Sequence, residues 1–208
     1  MSDFLHHLSE FNTKERYHLL RFAIGGEDWP LSPGFKDALK EGLGLTVPPC
    51  AYWAIDYHLD WLYAALVISA GGDPACPSPN DARIIEANQR DIDLVVAWPQ
   101  GDWTHLLLAE AKFVSSFDNK QMASKAERLQ QIFEPGLVDR ARVKPHFCLV
   151  APKQTKYLKT EGWLDWMKRG GDAVMINMPK DKSLKKVTQC DKSGNKKSRG
   201  SHWKVEPV

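Results

Sequence analysis

The densest apolar stretch of the chain lies near its middle, in RDIDLVVAWPQGDWTHLLLAEAKF from Arg90 to Phe113. It predicts two buried β-strands, Ile92 to Trp98 and Trp103 to Phe113. Pro99, Gln100, Gly101 and Asp102 connect them, and three of these four are strong turn formers. Charge interrupts the pattern at Asp93, near the start of the first strand, and at Glu110 and Lys112, at the end of the second. Side chains alternate along a strand, so Glu110 and Lys112 share one face and Ala111 takes the other. Pairing of the strands brings Asp93 level with them. Three charged groups buried side by side are costly without compensation, and a divalent cation held by the two carboxylates supplies it.

Patterning elsewhere predicts a mixed α/β protein. Asn12-Thr13-Lys14-Glu15 has the form of a capped helix start, with Gly25-Gly26 as the stop near Ile24. Ser32-Pro33 opens a second helix that ends near Gly42 or Gly44. After Pro48-Pro49, Ala51 to Ala70 predicts a long helix stopped by Gly71-Gly72. On it Asp56 and Asp60, four apart, share a face, with His58 between them as a packing or hydrogen-bonding residue. A proline-rich loop follows. Ala82 to Asn88 suits a strand better than a helical turn, with Asn88-Gln89-Arg90 turning into the hairpin and Glu86 beside Asp93. Asn119 to Phe133 predicts a helix whose Gln121, Lys125 and Arg128 share one polar face, and Pro135-Gly136 is its stop. Pro145 to Val150 predicts a strand, Gly162 to Lys168 a helix, and Ala173 to Met178 a further strand. Leu184 to Cys190 and Ser201 to Val205 can pair as a hairpin around Ser193-Gly194-Asn195.

Composition narrows the class. The 208 residues are 43% hydrophobic, enough for one domain with a sizeable core. It reads as an N-terminal helical extension (1–50), a core (51–180) and a basic tail or hairpin (181–208). No run of about 18 apolar residues predicts a membrane span, and MSDFLHHLSEF lacks the pattern of a signal peptide. Cys50, Cys76, Cys148 and Cys190 show neither zinc-site spacing nor a disulfide framework, which points to a reducing cytoplasm. Net charge is only +2, but it is uneven. Lys180, Lys182, Lys185, Lys186, Lys192, Lys196, Lys197, Arg199 and Lys204 crowd one segment against Asp181 and Asp191. With Trp203 among them, they suit a phosphate backbone or form a solvated tail.

Ile92-Asp93-Leu94 followed by Glu110-Ala111-Lys112, with sixteen residues between the two carboxylates, resembles the signature of the PD-(D/E)XK nuclease superfamily, without the proline that often precedes the Asp. The resemblance implies a restriction-endonuclease-like αβββαβ core, with a mixed central sheet flanked by helices, over roughly residues 51 to 151. The N-terminal helices would cap this sheet or serve as a DNA- or partner-binding extension. It further implies a Mg²⁺- or Mn²⁺-dependent phosphodiesterase acting on nucleic acid, DNA ahead of RNA. Asp93, Glu110 and the Ala111 carbonyl would bind the metal, with Glu86, Asp56 or Asp60 as candidates for a further ligand. Lys112 would orient water or stabilise the transition state, and Gln121 would assist. Lys125, Lys185, Lys186, Lys196, Lys197 and Arg199 are the candidate nucleic-acid contacts. A homodimer or a larger complex is compatible with such a protein. The alternative is a catalytically inactive nucleic-acid- or protein-binding module of the same fold, with Glu110 and Lys112 as a plain ion pair. His105 and His146, on apolar strands, read as structural.

Overall fold

The computed structural model describes residues 3–24, 30–87, 90–153, 155, 157–179 and 183–207. The predicted stop at Gly25-Gly26, the turn residues Asn88 and Gln89, and Lys180, Asp181 and Lys182 lie outside the described residues. A five-stranded mixed sheet forms the centre. In chain order its strands are β1 (Tyr52–His58), β2 (Asp91–Gln100), β3 (Trp103–Ala111), β4 (Val143–Ala151) and, beyond two short strands, β7 (Met175–Asn177), and they are laid side by side in that order. The first three strands are antiparallel, whereas β4 runs parallel to β3 and β7 parallel to β4. The expected α/β architecture is present, with a mixed sheet flanked by helices and helices at the N-terminus.

Both faces of the sheet are covered. On one lie α1 (Asp3–Glu10), α4 (Leu59–Ser69), α5 (Asn119–Ile132) and α6 (Pro135–Ala141). They bury Leu8, Leu62, Leu66, Met122, Leu129 and Leu137 with Val95, Ala97, Leu106 and Leu108 of the sheet. On the other, Leu39 of α3 (Pro33–Leu43) joins Val96, Trp98, Leu107, Cys148 and Ile176. The two faces alternate along β2 and β3, as buried strands require. Helix α3 shows its expected caps: Ser32 Oγ accepts from Phe35 N at 3.3 Å, and Gly44 takes a left-handed φ of +72°. Helix α2 (Glu15–Ile24) lies at the sheet's edge, with Tyr17 edge-on to Trp53 at 5.4 Å. Tyr57 Oη is buried and donates to the Leu8 carbonyl at 2.8 Å, fixing α1 to β1.

Several expected elements take another form. Residues 51–70 are not one helix: Tyr52–His58 is an edge strand, and only Leu59–Ser69 is helical. The segment YWAIDYH is rich in aromatic and β-branched residues, which favour a pleated half-buried surface, and it finds a partner in β2. The expected succession of a helix, three strands, a helix and a strand therefore has α3 at its head, α4 inserted between its first two strands and α6 between α5 and its last strand. Ala82 to Ala87 is irregular rather than a strand. Arg83 and Ala87 have φ of +50° and +54°, outside the extended region, and among the described residues no partner strand pairs with the segment. Helix α5 ends at Ile132 just before Pro135-Gly136, as expected, but Pro135 also starts the unexpected α6, capped by Glu134 and placed at the first turn, where proline lacks only an N–H that would be unpaired anyway. Gly162 to Lys168 holds only a 3₁₀ turn, Asp165–Met167. The strand expected at 173–178 is divided between β6 (Asp172–Ala173), which pairs with β5 (Lys168–Arg169) around Gly170-Gly171, and β7.

The C-terminal hairpin forms as expected. β8 (Lys185–Cys190) and β9 (His202–Pro207) pair antiparallel from Lys185 opposite Pro207 to Cys190 opposite His202, as a sheet of their own. The long turn between them folds back on the strand, and a Cβ placed on Gly200 would overlap the Cys190 backbone. Gly200→Ala is therefore expected to loosen the hairpin by about 1–3 kcal/mol. Hydrogen exchange would check this: amides of β8 and β9 should exchange roughly tenfold faster or more, while those of β2 and β3 stay unchanged.

Candidate active site

The cleft opens at the end of the β2–β3 hairpin remote from its turn. The turn itself is the two-residue Gly101-Asp102, with Gln100 paired to Trp103 and Gly101 at φ +60°. From there the register runs to Leu94 opposite Ala109, and one step further Asp93 and Glu110 stand across from each other. On the other side of β2, Ile55 pairs with Leu94 and Tyr57 with Ile92, which sets Asp56 across from Asp93. Three carboxylates thus occupy one cross-strand row on β1, β2 and β3. Their strands, with α5, surround a cleft of about 390 Å³ lined by Asp56, Asp93, Glu110, Lys112, Gln121 and Lys125, among others.

Each side chain in the row is held differently. Asp93 Oδ2 accepts from the Ala111 amide at 2.7 Å, which fixes one oxygen. Glu110 is 3% exposed. Its Oε1 receives Lys125 Nζ at 2.5 Å, and the same ammonium donates to the Asp91 carbonyl at 2.5 Å. Burial raises the Glu110 pKa above its ordinary 4.5, and the Asp93 charge adds to this, while Lys125 and Lys112 pull the other way. Asp56 has φ +50°, an unusual backbone for an aspartate inside a strand. Its Oδ2 meets Arg16 Nη2 of α2 at 3.2 Å. Beside the row, Asp91 Oδ2 receives Lys14 Nζ at 2.6 Å, and His58 Nδ1 stands 3.4 Å from Asp91 Oδ1.

Helix α5 supplies the opposite wall. Asp118 caps it by accepting from Gln121 N at 2.9 Å. Gln121, Lys125 and Arg128 recur at helical spacing and all line the cleft. Lys125 spends its charge on Glu110 rather than standing free in solvent. Arg128 is 1% exposed, with Nη2 on Asp60 Oδ1 at 2.6 Å and on the Ile84 carbonyl.

Two of the candidate further ligands are engaged elsewhere. Asp60 begins α4, where Arg128 takes one oxygen and the amides of Glu86 and Ala87 take the other at 3.1 and 2.7 Å. Glu86 lies in the irregular segment and pairs with Arg90 at 3.7 Å, not on a strand beside Asp93. His105 and His146 sit across β3 and β4 with Nδ1 and Nε2 3.0 Å apart, stacked in a row with Trp98. Burial lowers both pKa values, that of His146 to about 4, so this pair is uncharged at neutral pH. Lys186, Lys196 and Lys197 line a second cavity beside the 113–118 loop, whereas Lys185 and Arg199 are exposed on the hairpin and its turn.

Sequence patterning did not single out Asp91 and Lys14. Asp91 was within reach, since it precedes Asp93 by two and both carry charge at the start of an apolar strand. Lys14, 77 residues away, left no local signal. Comparison of the chain with protein-family models, with curated proteins and with solved structures finds no match. The site is therefore judged on its own chemistry. Among the described residues no three His, Cys, Asp or Glu side chains converge as a closed metal cluster. The donors at hand are oxygens: two adjacent carboxylates, one of them buried and lysine-compensated, in a cleft open to solvent. That set fits Mg²⁺ or Mn²⁺, which accept one or two carboxylates and complete their shell with water and substrate phosphate.

Proposed function

We propose that the protein is a metal-dependent phosphodiesterase acting on nucleic acid, DNA ahead of RNA. The observation that carries this is the meeting of Asp93, Glu110 and Lys112 with Gln121 and Lys125 in one cleft. Asp93 and Glu110 would hold Mg²⁺ or Mn²⁺, with the Ala111 carbonyl as a further oxygen. When bound, such a cation supplies Lewis-acid polarisation of a phosphoryl oxygen. The chain's own groups do the rest. Lys112, which lines the cleft, stabilises negative charge building on the phosphoryl oxygens. Gln121, with one amide acceptor and two donors, orients the attacking water. Lys125 favours the ionised form of Glu110 and holds its carboxylate in place. The backbone bond from Ala111 to Asp93 keeps one carboxylate oxygen fixed and the other available. Incubation of the purified protein with linear DNA and RNA, with and without Mg²⁺ or Mn²⁺, tests the proposal: cation-dependent cleavage is expected, and none on any substrate would overturn it.

The raised Glu110 pKa gives a pH signature. The cation competes with a proton at this carboxyl, so binding should be flat well above the raised value and weaken about tenfold per pH unit below it. The midpoint should lie above 4.5 and move down in Asp93→Asn, which removes a neighbouring negative charge. Calorimetric titration of Mn²⁺ over about pH 5 to 8 checks both points. In the metal-free protein the sign reverses: ionising the buried Glu110 costs stability, so this group's contribution falls as pH rises from 4.5 toward the raised value.

A second reading has one observation of its own. The Lys125–Glu110 contact already satisfies the buried carboxylate, as it would in a non-catalytic binding module of the same fold. In that case the protein would bind nucleic acid with no cation requirement, and no cation would be detected by calorimetry.

A further inference from the structure

Two cavities, of about 630 and 660 Å³, flank the 113–118 loop. The first lies between that loop, Lys153 and Tyr157; the second lies between Val114, Ser115 and the hairpin residues Lys186, Lys196 and Lys197. Val114, Ser115 and Lys186 line both, so the two form one channel. It meets the candidate active site at a single peptide, since Lys112 lines the cleft and Phe113 lines the channel.

The channel's charge is one-sided. Its cations are Lys153, Lys186, Lys196 and Lys197, and its one acidic residue, Asp118, is engaged in capping α5. Glu206 lies between Lys186 and Lys204, at 3.4 and 3.2 Å, and does not neutralise both. Among the described residues no carboxylate pairs with Lys153, Lys196 or Lys197. Tyr157 is 84% exposed, yet its backbone is anchored: Asn119 Nδ2 donates to the Tyr157 carbonyl at 3.1 Å, and Asn119 Oδ1 accepts from Lys159 N at 2.8 Å. An aromatic ring held out from a fixed backbone beside a row of lysines is the pairing that single-strand binding uses. Lysines track phosphates, and the ring offers a face to any base. A duplex keeps its bases stacked inside and has no free face to present.

We propose that this channel receives an unpaired polynucleotide flank. Its phosphates rest on Lys153, Lys186, Lys196 and Lys197, one base stacks on Tyr157, and the scissile phosphate reaches the cleft at Lys112. The substrate class is then nucleic acid with a single-stranded tail on one side of the cut. This rests on the phosphodiesterase proposal for the adjoining cleft, so the test separates the two. Binding is measured by fluorescence anisotropy with EDTA present, where no turnover occurs. The probes are labelled oligothymidylate and oligouridylate of about 16 nucleotides and a blunt duplex of equal length. Expected are tighter binding of the single strands than of the duplex, and affinity that falls with salt. Lys196→Glu/Lys197→Glu should lose at least about tenfold, and Tyr157→Ala about fivefold or more. These side chains are exposed, so both variants should melt like wild type. Equal or tighter binding of the blunt duplex, or wild-type affinity in Lys196→Glu/Lys197→Glu, overturns the channel even if the protein cleaves DNA. Lysine-dependent single-strand binding by a protein that cleaves nothing upholds the channel and removes the phosphodiesterase.

Discussion

Asp93→Asn is expected to lower cation-dependent cleavage by about 10³-fold or more while leaving the fold intact. The asparagine side chain keeps a carbonyl oxygen, so the 2.7 Å bond from the Ala111 amide survives. What is lost is charge. The cation loses one of two anionic ligands, and Glu110 loses the neighbour that raises its pKa. Glu110→Gln should abolish cleavage to the same degree and, without the cation, melt no lower than wild type at neutral pH, because the buried carboxylate is ionised at a cost to stability. Single-turnover kinetics with thermal melts of all three proteins check the pattern. Unchanged cleavage in folded Asp93→Asn would refute the catalytic assignment, since no step assigned to Asp93 can proceed without its charge.

The largest stability effect is expected at Arg128, outside the proposed chemistry. Its guanidinium is 1% exposed, holds Asp60 at 2.6 Å and accompanies a carboxylate that also accepts the amides of Glu86 and Ala87. Arg128→Met leaves Asp60, only 12% exposed, half-satisfied. Breaking such a pair costs about 3–5 kcal/mol, or a fall of roughly 10 °C in Tm for a chain of this size. The irregular 82–87 segment should be released first, since Asp60 anchors it. Arg128→Met combined with Asp60→Leu should recover part of the loss, because removing both charges is milder than removing one. Denaturation of the two single variants and the double variant, as a thermodynamic cycle, measures the coupling. A coupling near zero would show that Arg128 acts through packing and its bond to the Ile84 carbonyl rather than through Asp60.

The elements that patterning predicted are those whose cause is local. The β2–β3 hairpin is an apolar run cut by turn residues, α3 has a serine cap and a glycine stop, and α5 has a polar face at helical spacing. The failure at 51–70 is local too. Strand-forming residues run into true helix with no glycine or proline between them, and His58, at the junction, makes no side-chain cap bond. Misplacing that boundary put Asp56 and Asp60 on one helix face. Instead they part: Asp56 enters the row with Asp93 and Glu110, and Asp60 goes to Arg128. The remaining partners lie far apart in sequence, 68 residues for Arg128 with Asp60 and 77 for Lys14 with Asp91. No spacing rule reaches that far. Helix α6 is hidden in the pattern because the same residue that breaks a helix interior is at home in a first turn, so Pro135 marks both the stop of α5 and the start of α6.

The β8–β9 hairpin shares no ladder hydrogen bonds with the five-stranded sheet that carries the carboxylate row. The hairpin's part of the substrate grip would therefore sit in a segment that can change independently of the bond-breaking row. Exchanging residues 183–207 for another two-stranded ribbon leaves the backbone registers that align Asp56, Asp93 and Glu110 untouched. For protein engineering this is a graft site: the share of the phosphate grip carried by Lys186, Lys196 and Lys197 could be rewritten there without retuning the catalytic frame.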